Sequence, residues 1–336
     1  MRRLWYHILH SVLPVGALLL HVVIFVCYAR RWDKVAALTV FPFWAWGLLG
    51  MGMAGFAWLF TRQRFALGVT ALWIATVLVF SDETKPLLRS FQSRPEPGAA
   101  APTPDGQKVR RVITFNCKAG YFNPAAPHEV VPWQPDVVLF QETASPAVLQ
   151  QVAEALYGPP AKDHVVGSWE CGIITRGRIL SSALGNLPNT LSAVIQFDDG
   201  TQLTAASVHL SGAETDVRLY KREALYKHAI NRVARRAELQ AMLTMQTLLN
   251  GQRPAIIGGD FNAPAGDAIF RLLSSARFTD AMAAVGSGWP DTFPNWAPML
   301  RIDHQWINQG LTPVRGRVVK SVHSDHRMVI CDYLLK

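Results

Sequence analysis

Asp260 and Asn262 stand two residues apart, just after the apolar run Ala255-Ile256-Ile257 and the pair Gly258-Gly259. In an extended segment that spacing points both side chains to one face. A carboxylate beside an amide at a strand mouth can align or deprotonate a water and hold a phosphoryl oxygen or a metal-bound water. The stretch also reads as a Gly-Asp turn closed by an Asx hydrogen bond. Other polar residues border apolar runs in the same way: Asn116, Gln141-Glu142, His209, Asp303 after Arg301, and Ser324-Asp325-His326. Glu142 is a hard oxygen ligand suited to Mg²⁺ or Mn²⁺. His326 beside Asp303 would be a carboxylate-oriented imidazole. Asp260 would position a water for in-line attack, and His209 and Asn262 would meet the phosphoryl oxygens and the charge that builds there. Taken together, these groups suit the hydrolysis of a phosphate ester. Taken singly, each has an ordinary structural reading: Asn116 as a turn residue, Glu142 as a capping acid, His209 as a core histidine, Asp303 as a local partner of Arg301, and Ser324-Asp325 as the start of a turn.

The elements that must position them are short. Apolar runs predict strands at 109–116, 137–140, 172–175, 191–197, 202–210, 255–260, 302–307, 314–322 and 328–334. Asp198-Asp199-Gly200 marks a hairpin turn between two of them. Helices are expected at 147–156 and near 268–274, with a long helical stretch, broken or continuous, over 217–250. Many strands with few helices imply packed sheets with helices outside, an α+β plan.

Half of the 336 residues are apolar, and they are unevenly spread. Residues 4–29, 35–61 and 65–81 carry no Lys, Arg, Asp or Glu. At ~1.5 Å per residue the first two can cross a ~30 Å hydrocarbon core, whereas the third reaches only ~25 Å. Three transmembrane helices are expected within residues 1–81, which is too much apolar sequence for a cleavable signal peptide. Residues 82–107, with Pro95, Pro97, Pro102 and Pro104, read as a Pro/Ala-rich linker, and 108–336 as the catalytic domain. The formal charge of +9 is concentrated at the front: residues 1–104 hold 10 basic and 4 acidic residues, and the rest 23 and 20. Most of the excess therefore flanks apolar helices, and the later part lacks the global basic footprint of a nucleic-acid binder. Cys27, Cys117, Cys171 and Cys331 show no paired spacing, so they read as buried hydrophobes, outside any disulfide framework or zinc site.

The order Asn116, Gln141-Glu142, His209-Leu210, Gly259-Asp260-Phe261-Asn262, Arg301-Ile302-Asp303, Ser324-Asp325-His326 resembles the endonuclease/exonuclease/phosphatase superfamily, from Lys108 to the end of the chain. The resemblance implies a four-layer α/β/β/α sandwich, deoxyribonuclease-like, with its site at one end of two sheets. It implies Glu142 as principal ligand of Mg²⁺ or Mn²⁺, with Asn116 beside it and Asp325 as a further ligand. Asp303 and His326 match the family's Asp-His pair, Asp260 and Asn262 the pair that handles water and phosphate, and His209 the histidine on the phosphate. Trp296 and Trp169 are candidate substrate-side groups, with packing or rim positions as the alternative.

The function expected is that of an integral, multi-pass phosphoesterase of a plasma or inner membrane, contacting lipid through its N-terminal helices. Its substrate would be a nucleic acid or a lipid or headgroup ester. The basic stretch from Arg218 to Arg236 could track a nucleic-acid backbone, lie on anionic lipid, or form a solvated helix face. A catalytically silent binding module on an anchor is the non-enzyme alternative. Charge counts around the helices do not decide topology. Arg2, Arg3 and the family look-alikes favour a cytoplasmic N-terminus, which three crossings would convert into an extracytoplasmic catalytic domain.

Overall fold

The computed structural model describes residues 2–91, 109–119, 123–143, 145–184, 189–246 and 254–335. Most of the expected linker, and the end of the helical stretch beyond Gln246, lie outside them. The chain divides into two compact units. One comprises Met1–Thr84, Glu214–Arg232 and Gly266–Ala268; the other comprises Lys85–Ala213, Val233–Ala265 and Ile269–Lys336.

In the first unit, uncharged apolar sequence forms long helices. Leu4–Arg30 and Phe43–Thr61 are each long and apolar enough to cross a membrane. Arg64–Phe80 joins that class only with Thr84–Ser90, from which it is bent by 77°, so the described residues hold two spans or up to three. Arg31 and Arg62 end the first two helices in the left-handed conformation, at φ 53° and 54°. The helices pack through small residues: a Cβ on Gly50 would fall 2.1 Å from the ring of Trp73, and one on Gly47 2.2 Å from Val77. Trp73 is fully buried and donates its indole N–H to the carbonyl of Ala17 at 3.1 Å.

The second unit is built on two six-stranded sheets. The first begins with β1 (Val109–Asn116), β2 (Val137–Gln141), β3 (Val165–Gly167) and β4 (Cys171–Thr175). The second holds β5 (Arg178–Leu184), β6 (Thr190–Gln196), β7 (Gln202–His209), β8 (Ile256–Asp260), β9 (Thr279–Asp280) and β10 (Asp303–Ile307). The chain then returns to the first sheet as β11 (Leu311–Val319) and β12 (Met328–Leu335). The spatial orders are β11-β12-β1-β2-β4-β3 and β5-β6-β7-β8-β10-β9.

Alternate residues of the central strands serve different cores, so apolar residues occur on both faces of these strands. Val112, Val137 and Leu139 meet Ala205, Ile256 and Ile307 between the sheets. Ile113, Phe115, Val138 and Phe140 point the other way, onto Leu149 and Val152 of the Pro146–Tyr157 helix. Val208, Ile257 and Trp306 pack outward on Leu239, Met242, Phe270 and Leu273. Three cores separate four layers, the deoxyribonuclease-like α/β sandwich. Cys117, Cys171 and Cys331 are buried in these cores, and the described cysteines include no disulfide.

The structure adds strands the apolar pattern does not mark. β5 alternates half-buried and exposed positions at a sheet edge. β3 and β9 are three and two residues long, too short for any pattern. The helical stretch expected from 217 begins at Arg222 and runs to Gln246.

Gly259 lets β8 lie against β7: a Cβ there would fall 1.9 Å from the carbonyl oxygen of Val208. At Gly258 the first obstacle is the end of the Leu139 side chain, at 2.7 Å, which can move. Gly259→Ala is therefore expected to destabilise the protein by at least about 2 kcal/mol, and Gly258→Ala by clearly less. Thermal unfolding of the two variants checks this, and equal midpoints would refute it.

Candidate active site

Strand register assembles the site. In the parallel β7–β8 pair His209 lies opposite Asp260, and in the antiparallel β8–β10 pair Asp303 lies opposite Asp260 from the other side. In the first sheet Asn116 pairs with Gln141, so Glu142 follows at the same end. Glu142 leaves the strand at φ 48°, a left-handed turn that a non-glycine residue takes up only under local constraint. Its Oε2 accepts the backbone N–H of Ala119 at 2.6 Å.

Asn116 is fully buried and ties the two sheets together. Its Nδ2 donates to Glu142 Oε1 and to Asp260 Oδ2, both at 3.0 Å, while its Oδ1 accepts the N–H of Lys118 at 2.9 Å. Ser324 donates its hydroxyl to the Asn116 carbonyl at 2.7 Å and accepts the N–H of His326, placing the last loop over the first strand. Gln141 faces inward, donating to Ser207 Oγ at 2.9 Å, and joins sheet to sheet beneath the site.

Asp303 and His326, 23 residues apart in sequence, meet with Oδ2 and Nδ1 at 2.9 Å. Arg301 pairs with Asp280 at 2.7 Å. His326 Nε2 lies 3.8 Å from Asp260 Oδ2, and the ring packs on Phe293 with centroids 4.9 Å apart. Burial alone would lower the His326 pKa, but the carboxylates of Asp303 and Asp260 outweigh it and hold the imidazole protonated, up to about 10. Asp260 moves the other way from an ordinary carboxylate: burial, then the charge of Asp303, push it up to about 6, against the pull of His326 and His209.

The expected side-by-side placement of Asp260 and Asn262 on one extended face is not what forms. The strand stops at Asp260, whose Oδ1 accepts the Asn262 N–H at 2.8 Å in an Asx turn, and Asn262 sits at φ 49°. Its amide reaches across to donate to the Leu210 carbonyl at 2.8 Å, beside His209. The turn and the site are thus one structure. Asp325 is partly exposed, with Oδ2 3.4 Å from Lys118 Nζ, and its charge adds to the upward pull on His326. Trp296 and Trp169 are 81% and 77% exposed.

One member escaped the sequence reading. Glu170 Oε2 lies 2.9 Å from His209 Nδ1, so the second histidine also has an orienting carboxylate. His209 Nε2 then faces Glu142 Oε1 at 3.8 Å and Asp260 Oδ2 at 3.9 Å. Glu170 lies in the turn between β3 and β4, where no apolar run flags it. The Trp169-Glu170 pair just before Cys171 was the available signal.

Two stacked sheets between helical layers, with this cluster where their strands end, define a sandwich hydrolase of the deoxyribonuclease-like class. The sequence profile of the Endonuclease/Exonuclease/phosphatase family matches residues 107–326, and the chain belongs to that family. Its members hydrolyse phosphoester bonds, and this chain is a hydrolase of that kind. No curated protein matches the chain in sequence. Solved structures similar to it include a conserved protein of Enterococcus faecalis titled functionally unknown, at 16% identity and TM-score 0.52, over 67% of this chain and 100% of that one. A family protein of Bacteroides thetaiotaomicron gives 17% and 0.52, over 68% and 99%. A mannosyl-6-phosphatase of the same organism gives 19% and 0.51, over 67% and 100%. At these identities the likeness is one of fold.

The family depends on divalent metal, and the residues present fit one. Asp303 Oδ1 is buried without a hydrogen-bond partner. Asp260, Asp303 and His326 each bring a ligand atom within 4.8 Å of the others. His326 already engages Asp303 through Nδ1 and balances charge in that group. Glu142, partly exposed at the same end of the sheets, offers carboxylate oxygens of the kind a hard cation takes.

The pair geometry carries a direct prediction. Asp303→Asn removes the strongest upward pull on the imidazole, so the His326 pKa is expected to fall from about 10 toward the ordinary range. NMR titration of the His326 ring checks this, and an unchanged pKa would mean that Asp303 is not its controlling charge.

Proposed function

We propose that the chain is a membrane-anchored, divalent-cation-dependent phosphoesterase that hydrolyses its substrate by in-line attack of an activated water. The observation that carries this reading is the Asn116 amide, which donates at once to Glu142 and Asp260. It sets the candidate cation end and the candidate water end of the site at a fixed spacing.

The geometry supports the following roles. Glu142 and Asn116 would hold Mg²⁺ or Mn²⁺, with Asp325 as the outer candidate ligand. The cation, when bound, supplies charge to the phosphoryl oxygens and the leaving group. Asp260, oriented by Asn116 and by the Asn262 N–H, takes the proton of the attacking water. His326, kept charged by Asp303, donates to a phosphoryl oxygen. His209, held by Glu170, and Asn262 approach the same group from the β7 side. Trp296 and Trp169 stand as rim groups on the substrate side.

Within this reading the substrate is a phosphodiester or phosphomonoester of nucleic acid, or of a lipid or its headgroup. The basic stretch offers a nucleic acid less than its composition suggests. Arg232 is 1% and Arg235 4% exposed; Arg232 pairs with Asp267 and Arg235 donates to the Asn262 carbonyl. Neither is open to a nucleic-acid backbone. The domain scheme adopted is an anchor over residues 1–81, a linker over 82–107 and a catalytic domain over 108–336.

Full-length protein in detergent should be assayed on plasmid DNA, RNA, phospholipid and inositol phosphates, with Mg²⁺, Mn²⁺ or EDTA. Cleavage that requires the cation is expected, and Glu142→Ala should lower it by about 10²-fold or more with thermal stability retained. Full activity in EDTA, or in Glu142→Ala at saturating cation, would refute the assignment.

Three crossings with Arg2 and Arg3 in the cytoplasm would put the catalytic domain outside. A reporter fused after Lys336 should be active only in its extracytoplasmic form; activity confined to the cytoplasmic form would reverse the topology.

A further inference from the structure

The Arg222–Gln246 helix is inside out at its start. Arg232 and His228, 1% and 6% exposed, face inward. Tyr226, Ile230 and Val233, spaced as one helical stripe, face outward at 67%, 48% and 46% exposure. Just before the helix, Val217 and Tyr220 are 69% and 82% exposed. A water-facing helix carries its apolar stripe toward the core, so this arrangement calls for an apolar or interfacial neighbour.

Two observations identify that neighbour. First, Arg232 is fastened to the connection between the first two apolar helices. Its Nε lies 3.0 Å from Asp267 Oδ2, its Nη1 donates to the Trp32 carbonyl at 3.3 Å, and its Nη2 donates to Thr39 Oγ1 at 2.6 Å. All four residues belong to the first unit. If Leu4–Arg30 and Phe43–Thr61 cross a bilayer, the connection between them lies at its surface, and the helical turn bearing Arg232 lies at the same level. Second, the stripe is flanked by four exposed cations, Arg218, Lys221, Arg222 and Lys227, against the exposed acid Glu223 and the partly exposed Glu214 and Asp216. Arg218 and Lys227 pair with Asp216 and Glu223, yet the exposed set stays net positive. Tyrosines beside aliphatic residues and a cationic fringe are the composition of a headgroup-level surface.

We propose that the outer face from Val217 to Ile230 rests in the headgroup region of an anionic bilayer, the same one the N-terminal helices cross. This rests on the membrane-anchored reading. It also bears on topology. The connection 31–42 lies on the side opposite the N-terminus, so segment 214–232 can reach it only if Arg64–Phe80 crosses as well.

The test uses full-length protein carrying a single environment-sensitive fluorophore at Tyr226→Cys or Ile230→Cys, with Asp198→Cys as an exposed control on the β6–β7 turn. The four native cysteines are buried and stay in place. The protein is reconstituted into vesicles of phosphatidylcholine alone or mixed with phosphatidylglycerol, with and without nitroxide-labelled lipid. Quenching at 226 and 230 severalfold above that at 198, stronger in the anionic vesicles and reduced by Lys221→Glu/Arg222→Glu, is expected. Quenching equal to the control, in vesicles that keep the protein through a carbonate wash, overturns the inference while leaving the anchor in place. Shielding from aqueous iodide without lipid quenching assigns the face to a second copy and also overturns it. Protein stripped by carbonate overturns the anchor reading itself and the inference with it.

Discussion

Placing Asp260 and Asp303 on adjacent strands, opposite each other and out of water, carries an electrostatic cost that the rest of the site must offset. With ligand atoms within 4.8 Å, two such charges repel by roughly 3–4 kcal/mol at an effective dielectric of 20. His326 lies against both carboxylates and stays charged for that reason. Asn116 donates to Asp260 from the other sheet, and the Asn262 N–H donates from the turn below. Each compensating group comes from a different element, so the electrostatics require both sheets, the Asx turn and the last loop at once. The sandwich is the frame that makes a clustered acid site tolerable, and a divalent cation beside Glu142 would relieve it further.

The legible part of this architecture is the part buried on both faces. β1, β2, β7, β8, β10 and β12 serve two cores each, and the polar residues that matter stand at or just beyond one end of each strand. β5 is an edge strand with one face in water, and β3 and β9 are too short to carry a period. The Asp303–His326 pair could be named from sequence only through the family pattern, because nothing local links positions 23 apart. Glu170 was missed because its partner is made by tertiary placement and its flanks carry no motif. The one misplaced geometry, Asp260 with Asn262, came from extending a strand past the residue where a side chain captures the next turn.

The basic stretch shows how counting charges can mislead. Arg232 and Arg235 are buried in ion-pair and carbonyl contacts and position backbone segments. The positive charge that meets solvent comes from residues nearer the helix start. A composition reading sums the two populations, whereas burial separates them, and only the second population can contribute to a surface interaction.

The cysteines of the sandwich have a consequence of their own. Burial pushes the thiols of Cys171 and Cys331 up to about 12, and that of Cys117 upward as well. At neutral pH they stay protonated, out of solvent, and poor nucleophiles. Cys117 and Cys171 each adjoin a residue of the acid cluster, Asn116 and Glu170, yet neither offers an oxidant or a thiol reagent a reactive handle. Burial therefore keeps these three thiols out of thiol–disulfide exchange, whatever redox poise surrounds the sandwich.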